Sequence, residues 1–403
     1  MTIKMPSGPL TGLKIFDLTR VLAGPTCVQM LADMGADVIK IEKPGSGDDT
    51  RGFVPPVMPG TDESAYFSGV NRNKRSVTLD IATSEGQEIA KQLIAQCDIL
   101  VENFKVGALA KYGLGYEQIH KIQPGLVYCS ITGFGQTGPY APRPGYDGLI
   151  QAMGGIMSLT GDPTGEPQKV GVPVADVFAG LYGCIGVLAA LRHKERTGLG
   201  QQVDIGMLDT HVAWLANQGM NYLATGVAPV RLGNNHPNIV PYQVFATADG
   251  YIVLSIGNDP TFAKFCTNFG AEALLADERF VTNAARVMNR QLVTDTLAAI
   301  MKTMTTAAWI EQLEALKIGC GPINTLAQVF ADPHVIARNN IIEMQHGSGV
   351  AMQLVANPVR LSETPADYRL PPPILGEHTN DVLANWLGFD QTALNDLRAK
   401  NII

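Results

Sequence analysis

Charge is scarce in this chain: 17% of its 403 residues are Asp, Glu, Lys or Arg, and acid outweighs base for a net charge of -7. With no basic excess to displace counterions from a polyanion, a general nucleic-acid binder is excluded, but a local cationic pocket for a phosphorylated ligand is still allowed. Cysteine is sparse as well. The six thiols (Cys27, Cys97, Cys129, Cys184, Cys266, Cys320) stand far apart with no CxxC pair, which argues against zinc and against a disulfide framework. Four of the six lie in apolar runs, so buried free thiols in a reducing, cytoplasmic compartment are expected. No apolar run reaches the roughly 20 residues that a bilayer demands. The longest uncharged stretch, Val177–Leu191, also contains Gly180, Gly183 and Gly186, which suit close helix packing. The opening residues, Met1–Pro6, lack the apolar core of a secretion signal, so no membrane partner is expected. Neither GxxxxGK[ST] nor GxSxG occurs, which removes P-loop and nucleophile-elbow chemistry. Gly133-Phe134-Gly135-Gln136-Thr137-Gly138 does match GxGxxG after a strand. However, Pro139, Pro142 and Pro144 forbid the helix on which a dinucleotide pyrophosphate would sit.

What is present is apolar material, 46% of the chain, in more residues than one ordinary core holds, so two domains are expected. The first 135 residues alternate short β-branched runs with amphipathic segments. Strands are predicted at 13–18, 36–42, 76–81, 98–104 and 125–132, and helices from Pro25, over 84–96 and near 108–112. This is the pattern of an α/β domain with a mostly parallel sheet covered on both faces. A helix headed by Asp176, a strand at 201–207 and a helix at 209–223 follow. The character then changes through the turn-rich Gly233-Asn234-Asn235-His236-Pro237-Asn238 and a hairpin signal at Ala248-Asp249-Gly250. The expected division is a large α/β domain over 1–224, a small domain over 225–325, and a segment over 326–403 that returns to the first, with a last helix near 379–387.

Asp176 is the most pointed residue. It heads the least polar helix in the chain, where a carboxylate is either an N-cap or a reagent. As a reagent it would be kept ionised by the helix dipole and stripped of water by apolar neighbours. Glu102, Asp147 and Asp17 are the other candidate carboxylates of the first domain, and Asp17 reads as structural. Cations recur in the predicted loops there: Lys43, Arg51, Arg72, Lys74, Arg75, Lys105 and Lys111. Near the ends of parallel strands such a set suits a ligand with several phosphates. His236 reads as a turn or contact residue, and His193 and His211 as structural.

Several segments then match something specific. GLKIFDLTRVLAGP near residue 12, ADVIKIEKPGSGDDTRG at 36–52, NRNKRSVTLD at 71–80 and VENFKVGALAKYGLGY at 101–116 occur in order. SITGFGQTGPY at 130–140, PGYDG at 144–148, GVPVADVFAGLYG at 171–183 and LGEHT follow. With these the chain resembles the class III CoA-transferases, the CaiB/BaiF family, along nearly its whole length. The resemblance implies a Rossmann-like large domain, a smaller second domain and an interlocked homodimer. It implies that Asp176 is the nucleophile and that CoA is held by Leu22, Ala23, Lys43, Arg51, Asn71, Arg72, Asn73, Lys74, Asn103, Phe104, Lys105, Lys111, Tyr146 and Asp147. Pro144 stands where some members carry a lysine, and Gly233–Asn238 where some carry a run of four glycines.

The implied partners are an acyl-CoA and a small carboxylic acid, with CoA thioester as substrate and no permanently bound cofactor or metal. The likeness is greatest to the succinate–hydroxymethylglutarate type, which implies succinyl-CoA as donor and a dicarboxylate as acceptor. A dicarboxylate needs a cation for its far end, and Arg20, Arg51, Arg72 and Arg143 are the candidates. Formyl, oxalate and carnitine transfer are the alternatives within the family. An α-methylacyl-CoA racemase is the alternative outside transfer chemistry. Racemases of this fold carry a histidine where this chain has Tyr146, and an ordinary tyrosine, with a pKa of about 10, is a poor base at neutrality.

Overall fold

A computed structural model of the chain describes residues 7–403. The short apolar runs form six strands: β1 (Lys14–Asp17), β2 (Asp37–Glu42), β3 (Lys74–Thr78), β4 (Ile99–Glu102), β5 (Val127–Thr132) and β6 (Gln202–Gly206). They make one parallel sheet in the order β3-β2-β1-β4-β5-β6, the doubly wound arrangement that the alternation predicts. β3 starts two residues earlier than expected, because Lys74 and Arg75 are buried within it by acidic partners and do not mark a loop. The first helix starts at Ala23, so Pro25 lies inside its first turn and does not open it.

Two apolar cores flank the sheet. On one face, Val28 and Leu31 of the Ala23–Asp33 helix meet Ala179, Cys184 and Val187 of a long helix, Val174–Thr197. On the other, Leu93 of the Ser84–Ile94 helix packs with Val382 and Leu394 from the C-terminal return. The long helix has the length and hydropathy of a membrane span, but half of its most apolar window is buried inside the molecule. It approaches the first helix through glycine: a Cβ at Gly180 would lie 2.6 Å from the Ala23 carbonyl oxygen. That contact fixes the start of the first helix against the start of the long one. Five of the six cysteines are buried, and all six are free.

The chain divides into two units. One takes the residues through Gly155 with Val170–Leu215 and Pro333–Ile403; the other takes Ile156–Lys169 and Ala216–Asp332. The second unit is therefore wider than the 225–325 segment expected. Its core gathers Phe265, Trp309 and Leu313 under a three-stranded antiparallel sheet of Tyr242–Ala246, Tyr251–Ser255 and Gly319–Pro322. The helix predicted over 209–223 breaks in two near Ala216, whose φ is 46°. Within the first unit, His378 N–H donates to the Ser76 carbonyl and Asp80 N–H to that of Ile402. The Thr379–Leu387 helix is not the last, since Gln391–Ala399 follows it.

Candidate active site

β1 and β4 lie side by side at the point where the strand order reverses, and their carboxyl ends open onto a crevice. The loop after β1 and the loop after β4 are stitched together there. Asn103 Oδ1 accepts from Arg20 N–H at 2.9 Å, and its Nδ2 donates to the Arg20 carbonyl at 2.7 Å. Val21 follows at φ 68°, a conformation that a β-branched residue adopts only under constraint. The constraint is visible. Lys40 and Asp48, both fully buried, pair at 2.9 Å, while Lys40 also donates to the Thr19 carbonyl and Asp48 accepts from Val21 N–H. Burial alone would raise the Asp48 carboxyl, but Lys40 and Thr50 hold it down to about 2. On the β4 side, Glu102 accepts from Phe104 N–H at 2.7 Å, and burial pushes its carboxyl up to about 7.

A hollow of about 240 Å³ lies in this crevice, lined by Arg20–Ala23, by Asn103–Val106, by Thr132 and Gly133 at the end of β5, by Arg143–Asp147 and by Asp176. A second hollow of about 400 Å³ shares Arg20, Asp49 and Phe104 with the first and adds Lys43, Gly47 and Asp80. Together they suit an elongated ligand.

Asp176 does not cap its helix. It lies in the first turn behind Pro173, and no hydrogen bond among the described residues reaches its carboxylate. The capping acid comes from elsewhere: Asp147, first residue of the Asp147–Met153 helix, accepts Ala175 N–H through Oδ1 at 2.9 Å. Its Oδ2 accepts from Gln151, whose own carbonyl oxygen accepts Val170 N–H. Burial first, and the Asp147 charge second, push Asp176 up to about 7. Lost hydration and a like charge thus both act against the ionisation that the helix dipole favours.

Of the residues expected around CoA, Leu22, Ala23, Asn103, Phe104, Lys105, Tyr146 and Asp147 line the hollow with Asp176, and Lys43 lines the adjoining one. The others do not. Arg51 lies flat on the Phe67 ring with its Nε and Nη2 on Glu42. Asn71, Arg72, Asn73 and Lys74 are buried and bonded within the protein. Arg72 grips Asp33 through two nitrogens and donates to the Val355 carbonyl. Asn73 bonds Asp33 and the Asp367 carbonyl, and Lys74 bonds Asn71 and Asp17. This cluster clasps the C-terminal return to the first helix, and its donors are spent. Lys111 is exposed on a short 3-10 turn and lines neither hollow. His236 takes the turn role, its Nδ1 accepting Asn238 N–H. The pairing of Lys40 with Asp48 and the strain at Val21 escape the sequence reading, since nothing local marks either.

The profile of CoA-transferase family III matches residues 10–379. The chain belongs to CoA-transferase family III. Among its relatives, the succinate–glutarate CoA-transferase of Agrobacterium fabrum is 47% identical across 96% of this chain and 97% of its own. The succinyl-CoA:glutarate CoA-transferase of Homo sapiens is 41% identical across 98% of this chain and 90% of its own. A crystal structure of a CaiB/BaiF family protein from Brucella suis superposes with a TM-score of 0.83 at 48% identity, covering 94% of this chain and all of that one. As in the sequence, this family III CoA-transferase has no histidine at position 146. Tyr146 is 70% exposed, and among the described residues no imidazole lines the hollow that holds Asp176, so the racemase reading lacks the histidine it calls for.

Proposed function

We propose that this enzyme moves CoA from succinyl-CoA to a second dicarboxylic acid of the glutarate class, with Asp176 as the nucleophile. The observation that carries the reading is the placement of one half-buried carboxylate, with no hydrogen-bond partner among the described residues, on the wall of the switch-point crevice. The full-length relatives whose names specify succinate, glutarate, mesaconate or citramalate support the substrate class.

In this reading the pantetheine thioester enters along Leu22-Ala23 and Asn103–Lys105, with the nucleotide end of CoA in the adjoining hollow beside Lys43. An Asp176 oxygen attacks the thioester carbonyl, the C–S bond breaks, and a mixed anhydride and CoA thiolate remain. The thiolate attacks the Asp176 carbonyl, expels succinate and leaves an aspartyl-CoA thioester. The acceptor carboxylate displaces CoA to form a new anhydride, and the thiolate takes the acyl group, restoring Asp176. Little solvation of Asp176 makes its ionised form a stronger nucleophile, and a water-poor site protects the anhydride.

The reading also assigns the chain to an interlocked homodimer in the cytoplasm. Ile185 on the long helix is 61% exposed, an apolar surface that a second copy would cover, and the free thiols suit a reducing compartment. The test is intact mass after incubation with succinyl-CoA alone. A CoA-sized adduct on the wild type, absent from Asp176→Ala together with all turnover, is the expected result. Substantial turnover by Asp176→Ala would overturn the assignment.

A further inference from the structure

A dicarboxylate brings a second negative charge into a hollow that already holds Asp176 and Asp147, and four arginines are placed by sequence to meet it. The structure separates them. Arg51 and Arg72 are committed to Glu42 and Asp33. Arg20 stands 3.3 Å from Asp49 and over the Phe104 ring. Arg143 differs. Among the described residues it has no acidic partner, yet it lines the hollow of Asp176, and its guanidinium carbon lies 4.2 Å from the centroid of the Tyr140 ring.

An arginine resting on an aromatic face keeps its fork of donors free and loses little freedom on binding a carboxylate. The backbone beneath it is also fixed. Arg143 N–H donates to the Tyr140 carbonyl at 2.9 Å, prolines stand on either side, and Gly145 presses on Gly133. A Cβ at Gly145 would lie 2.2 Å from the Gly133 Cα, so this segment is held against the end of β5. Lys105, the other unpaired cation of the hollow, belongs to the loop assigned to CoA.

We infer that Arg143 holds the remote carboxylate of the acid, succinyl or acceptor, whose reacting carboxyl meets Asp176. The inference rests on the dicarboxylate reading above and names the residue that sets it. The test compares glutarate with pentanoate, its monoacid counterpart, as acceptors from succinyl-CoA, so that the donor's own contribution cancels in the ratio of kcat/KM values. In Arg143→Ala that ratio falls about tenfold or more, in Arg143→Lys it falls less, and affinity for desulfo-CoA holds. A ratio that falls by less than that, or desulfo-CoA affinity lost in step with activity, overturns the inference, the latter by giving Arg143 to the CoA phosphates. If the wild type transfers CoA from succinyl-CoA to neither acid, the dicarboxylate reading itself fails.

Discussion

The Asp147 carboxylate accepts the amide of Ala175 at 2.9 Å, and so grips the backbone one residue before Asp176. One side chain thereby does two things. It supplies the cap that Pro173 lacks, and it sets a negative charge close enough to Asp176 to oppose ionisation. The helix that carries Asp176 is therefore positioned by a group that also opposes ionisation of the proposed nucleophile.

Replacing Asp147 by Asn removes the charge while an amide oxygen still accepts Ala175 N–H, at the cost of the bond from Gln151 to the other carboxylate oxygen. Removing the like charge lets Asp176 ionise at lower pH. Burial, the larger cause, remains, so Asp176 stays above the ordinary carboxylate range. The acidic limb of kcat/KM is expected near pH 7 in the wild type and further acidward in Asp147→Asn, giving several-fold higher relative activity below it. A pH–rate series on both proteins checks this. An unmoved limb would mean that Asp147 acts through geometry alone.

Stability should report the same group with a definite sign. A carboxyl raised in the folded state binds a proton that the unfolded chain has already lost, so folding weakens as pH climbs from the ordinary carboxylate range to about 7. Asp176→Asn removes that penalty. It is expected to melt a few degrees above the wild type at pH 8, on the order of a few kcal/mol at most, and level with it near pH 4. Differential scanning fluorimetry across that range suffices.

Much of this was legible beforehand for a physical reason. Strands buried on both faces must be apolar throughout, so Ile15-Phe16 and Ile99-Leu100-Val101 announce themselves. Gly180 and Gly183 likewise mark a helix that something approaches closely. The illegible part is charge whose partner is distant in sequence. Asn71–Lys74 read as a basic loop because Asp33, Asp17 and the backbone at 355 and 367 are separated from them by stretches that no local pattern links. Arg143 and Arg72 look alike in the sequence, and only the fold shows that Arg72 is paired with Asp33 while Arg143 has no acidic partner among the described residues.

That distinction is measurable at Arg72. Truncating one partner of a buried pair leaves Asp33 uncompensated, at a cost of about 3–5 kcal/mol, and also removes the bond to the Val355 carbonyl. Arg72→Ala is expected to lower the melting temperature markedly and to loosen the C-terminal return, seen as faster amide exchange over 355–370. The fraction that stays folded should bind desulfo-CoA like the wild type. Normal stability with weakened CoA binding would instead return Arg72 to the ligand.

The strain at Val21 should prove to be tied to function. Its φ of 68° costs about 1–3 kcal/mol in a β-branched residue, and the Lys40–Asp48 pair holds it through Val21 N–H. Glycine adopts that conformation freely but gains disorder when unfolded, an opposing term of about 0.5–1 kcal/mol. Val21→Gly is therefore expected to leave stability level or raised by about 1 kcal/mol, since the relief exceeds the entropy lost. Activity should move the other way. Val21 lines the hollow beside Leu22 and Ala23, and with glycine in its place the loop is free to leave the one geometry that presents those residues to the thioester in the proposed reaction. A rise in KM for succinyl-CoA with an unchanged or higher melting temperature would show that the fold spends stability to shape this wall. A fall in stability with normal kinetics would show that Val21 is packing alone.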